Sequence, residues 1–219
     1  MKQPTAGEIP NCVTLDGRYC RLEPLEINHA PSLFAAISGE GVKERHRYLF
    51  EEPPATPSNL AAWISTQTAR NDAIFFAVID KETGKCGGRQ AFLRLRPEHR
   101  SIEVGSVLWG RGIARTRIAT EALFLTAKHV FDDLRYYRFE WKCNALNIPS
   151  CRAAIRFGFT FEGIFRKDMV LKNQHRDTAW YAMIDSDWPD LKSRFEEWLD
   201  PSNFDENGLA KTNLAVQRT

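Results

Sequence analysis

A chain of 219 residues, 43% hydrophobic and 26% charged, has the length and apolar content for one globular domain with a sizeable core. A formal net charge of +2 makes no composition-level case for nucleic acid or an anionic membrane as a partner. The longest apolar runs, such as 73–79, are far too short to span a bilayer, and the N-terminus MKQPTAGEIPNC lacks the apolar core of a signal peptide.

Taken in order, residues 1–14 read as a loose lead-in to a domain over 15–199, followed by a polar, poorly ordered tail over 200–219. Tyr19 to Leu25 alternates as a first strand, and Asn28 is placed to cap a helix from Ala30 to Ile37 that ends near Gly39 and Gly41. The connector 40–57 carries the basic and aromatic cluster Lys43, Arg45, His46, Arg47 and Tyr48, and is long enough to be a functional loop. Ser58 is the expected cap of a second helix holding Leu60, Trp63 and Ile64. Ile74 to Ile79 is a compact apolar strand, and Thr83-Gly84 turns it into a second strand ending at Arg96.

The stretch Ile102 to Phe131 organises the rest. Alternation predicts a strand with Ile102, Val104, Ser106 and Leu108 on one face and Glu103 on the other, where it meets solvent. A segment with Gly110 and Gly112 then leads into a helix patterned by Ala119, Ala122, Leu123, Thr126 and Val130. A strand feeding a turn and a helix leaves first-turn N–H groups unpaired, with the helix dipole behind them, which suits a phosphate. A lone GxG is weak by itself; the plain reading is a tight turn. Basic Arg115 and Arg117 oppose the dipole, and that favours an anionic ligand over a merely solvated first turn.

Further strands are expected at 136–143, 160–164, 168–171 and 178–184, with helices at 151–157, entered through Asn147 and Pro149, and at 188–199. Five scattered cysteines, odd in number and without CxxC or Cys/His ligand spacing, imply a reduced cytoplasmic compartment and no metal site. Cys151 has no basic partner placed by sequence and reads as a small buried thiol; Trp141 and Trp180 read as core.

The element order, the strand–turn–helix at 102–131 and the segment NALNIPSCRAAIRFGFTFEG at 144–163 resemble the GNAT acyltransferases, most closely the branch of ribosomal-protein N-terminal acetyltransferases. Asn147 and Ser150, followed by Gly158-Phe159 and Glu162-Gly163, are the most specific part. The pyrophosphate signature allows two registers. One sets Gly112 and Ala114 on the small positions; the other, preferred, runs from Ala114 to Ala119 and matches the family's Ala-Thr-Glu-Ala at 119–122, with Arg117 where glycine is usual.

The resemblance implies an α/β (α+β) fold, a mixed central sheet with a splayed strand pair and flanking helices. It implies acetyl-CoA or a related short acyl-CoA as co-substrate, no metal, and direct attack by a primary amine, either a protein N-terminus or a small molecule. The amides of Arg115, Thr116, Arg117, Ile118, Ala119 and Thr120 would hold the pyrophosphate, and the pantetheine arm would lie along the strand 104–108. An N–H near Val107 or Leu108 would stabilise the oxyanion. Ser150 would serve the leaving thiolate and Asn147 would orient the arm or a water, against the plain reading that both only cap a helix. Glu103 is the candidate base; His46, Tyr48 and Asp177 are candidates for the acceptor side. A homodimer follows from the branch alone. An acyl-CoA sensor without turnover is the alternative.

Overall fold

The computed structural model describes residues 7–214. Fourteen elements build a mixed sheet covered on both faces. They run β1 (Leu15–Asp16), β2 (Cys20–Pro24), α1 (Ala30–Ile37), α2 (Val42–His46), α3 (Pro57–Thr68), β3 (Ala73–Asp80), β4 (Cys86–Arg96), β5 (Ser101–Trp109), α4 (Arg117–Lys128), β6 (Arg138–Asn144), α5 (Ile148–Arg156), β7 (Thr160–Leu171), β8 (Gln174–Ile184) and α6 (Trp188–Leu199). The strand order is β1-β2-β3-β4-β5-β6-β8-β7, antiparallel throughout except for β5 beside β6. Among the described residues no helix is long and apolar enough to cross a membrane.

Strands buried on both faces read as unbroken apolar runs, and β3 shows why. Phe76 and Val78 point into the core shared with α4 and α6, whereas Phe75, Ala77 and Ile79 point into the core under α1 and α3. The five positions that pattern the central helix, Ala119, Ala122, Leu123, Thr126 and Val130, are all buried, as are all residues from Ala119 to Ala127.

Several local expectations are corrected. Asn28 lies in a short 3-10 turn and donates to Glu26, and His29 is the residue that precedes α1. Thr56, not Ser58, caps α3, because Pro57 takes the first helical position and leaves the Thr56 oxygen to accept from Asn59 N–H. The two strands expected at 160–164 and 168–171 are one strand, β7, carried past two irregularities in its pairing with β8. The tail differs too: over its described part, Phe204 and Leu214 are buried in the main core and the Trp198 indole donates to the Thr212 carbonyl.

The expected face of β5 also changes. Ser106 has φ of 50°, and the pairing with β4 gains one residue between Ala91–Gly105 and Arg89–Leu108. This bulge reverses the alternation beyond it. Ile102 and Val104 lie in the α4-side core, but Leu108 turns into the α1–α3 core, and Val107 and Trp109 take the α4 side.

Candidate active site

β5 and β6 pair at only four positions, Ser101–Arg138 to Val104–Trp141, and then part. A cavity of about 1140 Å³ opens at the parting. Gly105, Ser106 and Val107 line it from β5; Trp141, Cys143 and Asn144 from β6; Asn147 and Ser150 from α5. Since Trp141 faces the α4-side core and Glu103 the opposite side, the opening joins the two faces of the sheet.

Asn147 caps α5, its Oδ1 accepting from Ser150 N–H at 3.3 Å, so the plain capping role is present together with its place on the cavity wall. Ser150 Oγ accepts from the Trp141 indole N–H at 3.0 Å. That donation occupies an acceptor site of the hydroxyl and leaves its own proton to give. Trp141 is thus core and site together. Cys143 and Cys151 lie beside it with sulfurs 3.6 Å apart, and burial pushes the Cys143 thiol up to about 12, which leaves it unreactive as a nucleophile.

Across the gap, Glu103 is buried rather than solvent-facing and pairs with Lys142 Nζ at 2.5 Å. Burial drives Glu103 above the usual carboxylate range and Lys142 below the usual ammonium range, each only partly countered by the other. The Lys142 ammonium favours the ionised Glu103 that burial opposes, and a carboxylate whose pKa burial has raised is a stronger base than an exposed one. Its neighbour Glu140 behaves oppositely. Burial raises it, but the Arg138 hydrogen bond, Lys142 and Arg96 outweigh that and hold it low.

Arg89 holds the bulge. Its buried guanidinium donates to the Ser106 carbonyl at 2.6 Å and to the Ser106 hydroxyl, pairs with Glu51, and stacks on Trp63 at 4.2 Å. Val107 reaches the cavity, whereas the Leu108 side chain does not.

At the helix mouth, Thr116 caps α4 with its hydroxyl accepting from Ile118 N–H, and Arg115 just before it has φ of 65°. Thr116 N–H bonds to the Ile113 carbonyl and Thr120 N–H to the Thr116 carbonyl. Of the six amides expected to face a phosphate, three are therefore satisfied internally; those of Arg115, Arg117 and Ala119 have no protein partner among the described residues. The Arg117 guanidinium leans away, over the rings of Tyr19 at 4.5 Å and Phe204 at 5.4 Å. The helix opens at Arg117, two residues before the Ala-Thr-Glu-Ala run at 119–122. Gly110 belongs to packing, since a Cβ there would lie 2.5 Å from the Ala36 carbonyl oxygen.

The acceptor-side candidates separate. Tyr48 lines the cavity, and its hydroxyl donates to the Leu146 carbonyl at 3.1 Å, tying the 42–57 loop to the start of α5. His46 is buried against its own helix, Nδ1 at 2.9 Å from the Val42 carbonyl, and does not line the cavity; burial lowers its pKa despite that bond. Asp177 is exposed and accepts from Lys167 N–H at 2.8 Å, where β7 bends at φ of 50°. Sequence reasoning does not identify Lys142, Arg89, Glu51 and the cavity face of β8: Lys142, Arg89 and Arg176 are charged residues inside apolar strands whose neighbours are identifiable only from the fold, and Glu51 is a loop acid with no local mark.

The sheet order, the parted parallel pair and the capped helix that follows β5 define an α/β acetyltransferase. The acetyltransferase (GNAT) domain model matches residues 20–160, and the chain belongs to that family. A GCN5-related N-acetyltransferase from Brucella melitensis, known as a crystal structure, is 48% identical, covering 98% of this chain and 97% of that one with a TM-score of 0.95. A protein titled a probable acetyltransferase of the GNAT family from Chromobacterium violaceum is 31% identical over 86% of this chain and 94% of its own, with a TM-score of 0.80. YnaD of Bacillus subtilis, an uncharacterized N-acetyltransferase, is 27% identical over 113 residues; the match spans 52% of this chain and 65% of that protein. Among the described residues no group of His, Cys, Asp and Glu could hold a metal ion.

Proposed function

We propose that the protein moves an acetyl or short acyl group from acyl-CoA to a primary amine by direct attack. The observation that carries this is the gap between β5 and β6, which brings Ser150 from one face and the Glu103–Lys142 pair from the other onto one cavity. The amine nitrogen bonds to the acyl carbon, the carbon–sulfur bond breaks, and one net proton passes from the amine to the sulfur.

The free amides of Arg117 and Ala119, with Arg115 beside them, suit the pyrophosphate of acyl-CoA. The unpaired edge of β5 from Gly105 to Val107 suits the amide groups of its pantetheine arm, and a backbone N–H near Val107 suits the developing oxyanion. Ser150, with Trp141 holding its oxygen, donates toward the sulfur. Glu103 takes the amine proton, directly or through water, and Lys142 steadies the charge it carries between turnovers. Tyr48 fixes the loop that roofs the acceptor side. The narrower branch of ribosomal-protein N-terminal acetyltransferases rests on the 144–163 segment. Its homodimer would use the outer edge of β7, where Phe161, Ile164 and Phe165 are about half exposed; a monomer by light scattering would remove it.

Thiol release from acetyl-CoA, with and without a panel of amines and N-terminal peptides, tests the reading. Release should depend on the amine, and kcat/KM should fall with pH through a pKa above the ordinary carboxylate range, because Glu103 must be deprotonated to act. Glu103→Gln should remove that acid limb. Binding of acetyl-CoA without amine-dependent release would contradict transfer and leave the sensor.

A further inference from the structure

β8 carries Arg176, Thr178 and Trp180 at alternate positions, so their side chains share one face of the sheet. Trp180 pairs with Lys142 across to β6 and takes its ammonium over the ring at 4.2 Å, so this is the face of the Glu103–Lys142 pair. All three line the cavity. Each also holds a buried polar atom without a hydrogen-bond partner: Arg176 Nε, Thr178 Oγ1 and Trp180 Nε1. Isolated unpaired groups of this kind are rare in folded proteins, and three in a row along one strand are unusual.

Arg176 is the decisive member. It is 7% exposed, and no carboxylate among the described residues lies within ion-pair distance of it. The acids facing the same space are otherwise engaged or remote. Glu51 is committed to Arg89, and Glu103, which is paired with Lys142, and Asp168 attract Arg176 only from beyond ion-pair distance. A buried guanidinium without an anion is costly, and its planar fork of donors fits a carboxylate. The phosphates of acyl-CoA do not answer to it, because α4 packs on the opposite face of the sheet.

We propose that the acceptor amine also bears a carboxylate, which Arg176 and Thr178 bind on the acceptor side of the gap. Two sources share that chemistry, a free amino acid and a peptide whose first residue is acidic. The inference rests on the acyl-transfer reading above and deepens it. It makes β8 the wall that selects the acceptor, while β5, β6 and α5 serve the donor.

The test is amine-dependent thiol release with matched acceptors: an amino acid against its carboxamide, and a peptide beginning with Asp against the same peptide beginning with Asn. The carboxylate member should be preferred about 30-fold or more in kcat/KM in one of the two pairs, and that pair names the source. Arg176→Met should cut the preference about tenfold or more, chiefly through KM for the carboxylate member, with a smaller cut from Thr178→Val. The second variant serves if loss of the arginine impairs folding. Turnover with no preference in either pair would overturn this inference and leave acyl transfer standing. A preference that survives both substitutions would overturn the assignment to β8. No turnover of any acceptor would overturn both readings together.

Discussion

Glu121 stands in the first half of α4, and its carboxylate accepts the amide protons of Arg18, Tyr19 and Cys20 at 2.7, 2.6 and 2.7 Å. One charged side chain thereby ties the β1–β2 turn to the central helix, and Gly17 is small because a Cβ there would lie 2.5 Å from the Glu121 carboxyl carbon. Charge-assisted bonds of this kind are stronger than neutral ones, and removing the acceptor strands three donors, one of them fully buried. Glu121→Ala should lower stability by about 3 kcal/mol, read as a lower urea midpoint at unchanged slope; a change under about 0.5 kcal/mol would contradict this account of the residue. The Ala-Thr-Glu-Ala run was legible as a helix opening, but the purpose of its glutamate was not, since its three donors lie about a hundred residues earlier in the chain. Loop residues were harder still. His46 and Asp177 look alike as exposed polar candidates in one dimension, yet one is buried against its own helix and the other caps a bend on the far side of β8.

The bulge in β5 shows how an element can be right in extent and wrong in direction. Period-two alternation identifies the strand, but one inserted residue at Ser106 turns every later side chain to the other face. The insertion leaves no mark in the local pattern because its stabilising contact is remote: Arg89 on β4 clamps Ser106, and Glu51 on the loop before α3 clamps Arg89. Arg89→Met breaks this chain and leaves Glu51 without its cation. Stability should fall by about 3 kcal/mol. Because the bulge aims Val107 at the cavity, kcat for acyl transfer should fall further than CoA affinity, which the proposed function anchors at α4; equal losses in both would make Arg89 merely structural. By contrast, the existence and order of α4 and α5 were legible, and Asn147 was legible as the entry to α5, because its cap is a short-range contact that the sequence itself contains; the helix starts fall two to three residues earlier than read.

On the scale of the whole molecule, the class of fold followed from the order of elements, while the division of labour across the sheet did not. Apolar periodicity places helices and strands; it does not reveal that one face near the gap is a packed aromatic core and the other a layer of charges on Glu103, Glu140, Lys142 and Arg176. The tail misled for a related reason. Its composition is polar, yet Phe204 and Leu214 are enough to dock it, with Tyr19, Trp198 and Arg117 forming the bed. Under the proposed function the donor would meet backbone amides on the α4 side and the acceptor side chains on the other, with the parted strands as the passage between them. Amide hydrogen exchange with and without acetyl-CoA examines that arrangement directly. Saturating acetyl-CoA should slow exchange at 105–108 on β5 and at 115–119 at the mouth of α4. Tight binding that protects neither stretch would contradict it.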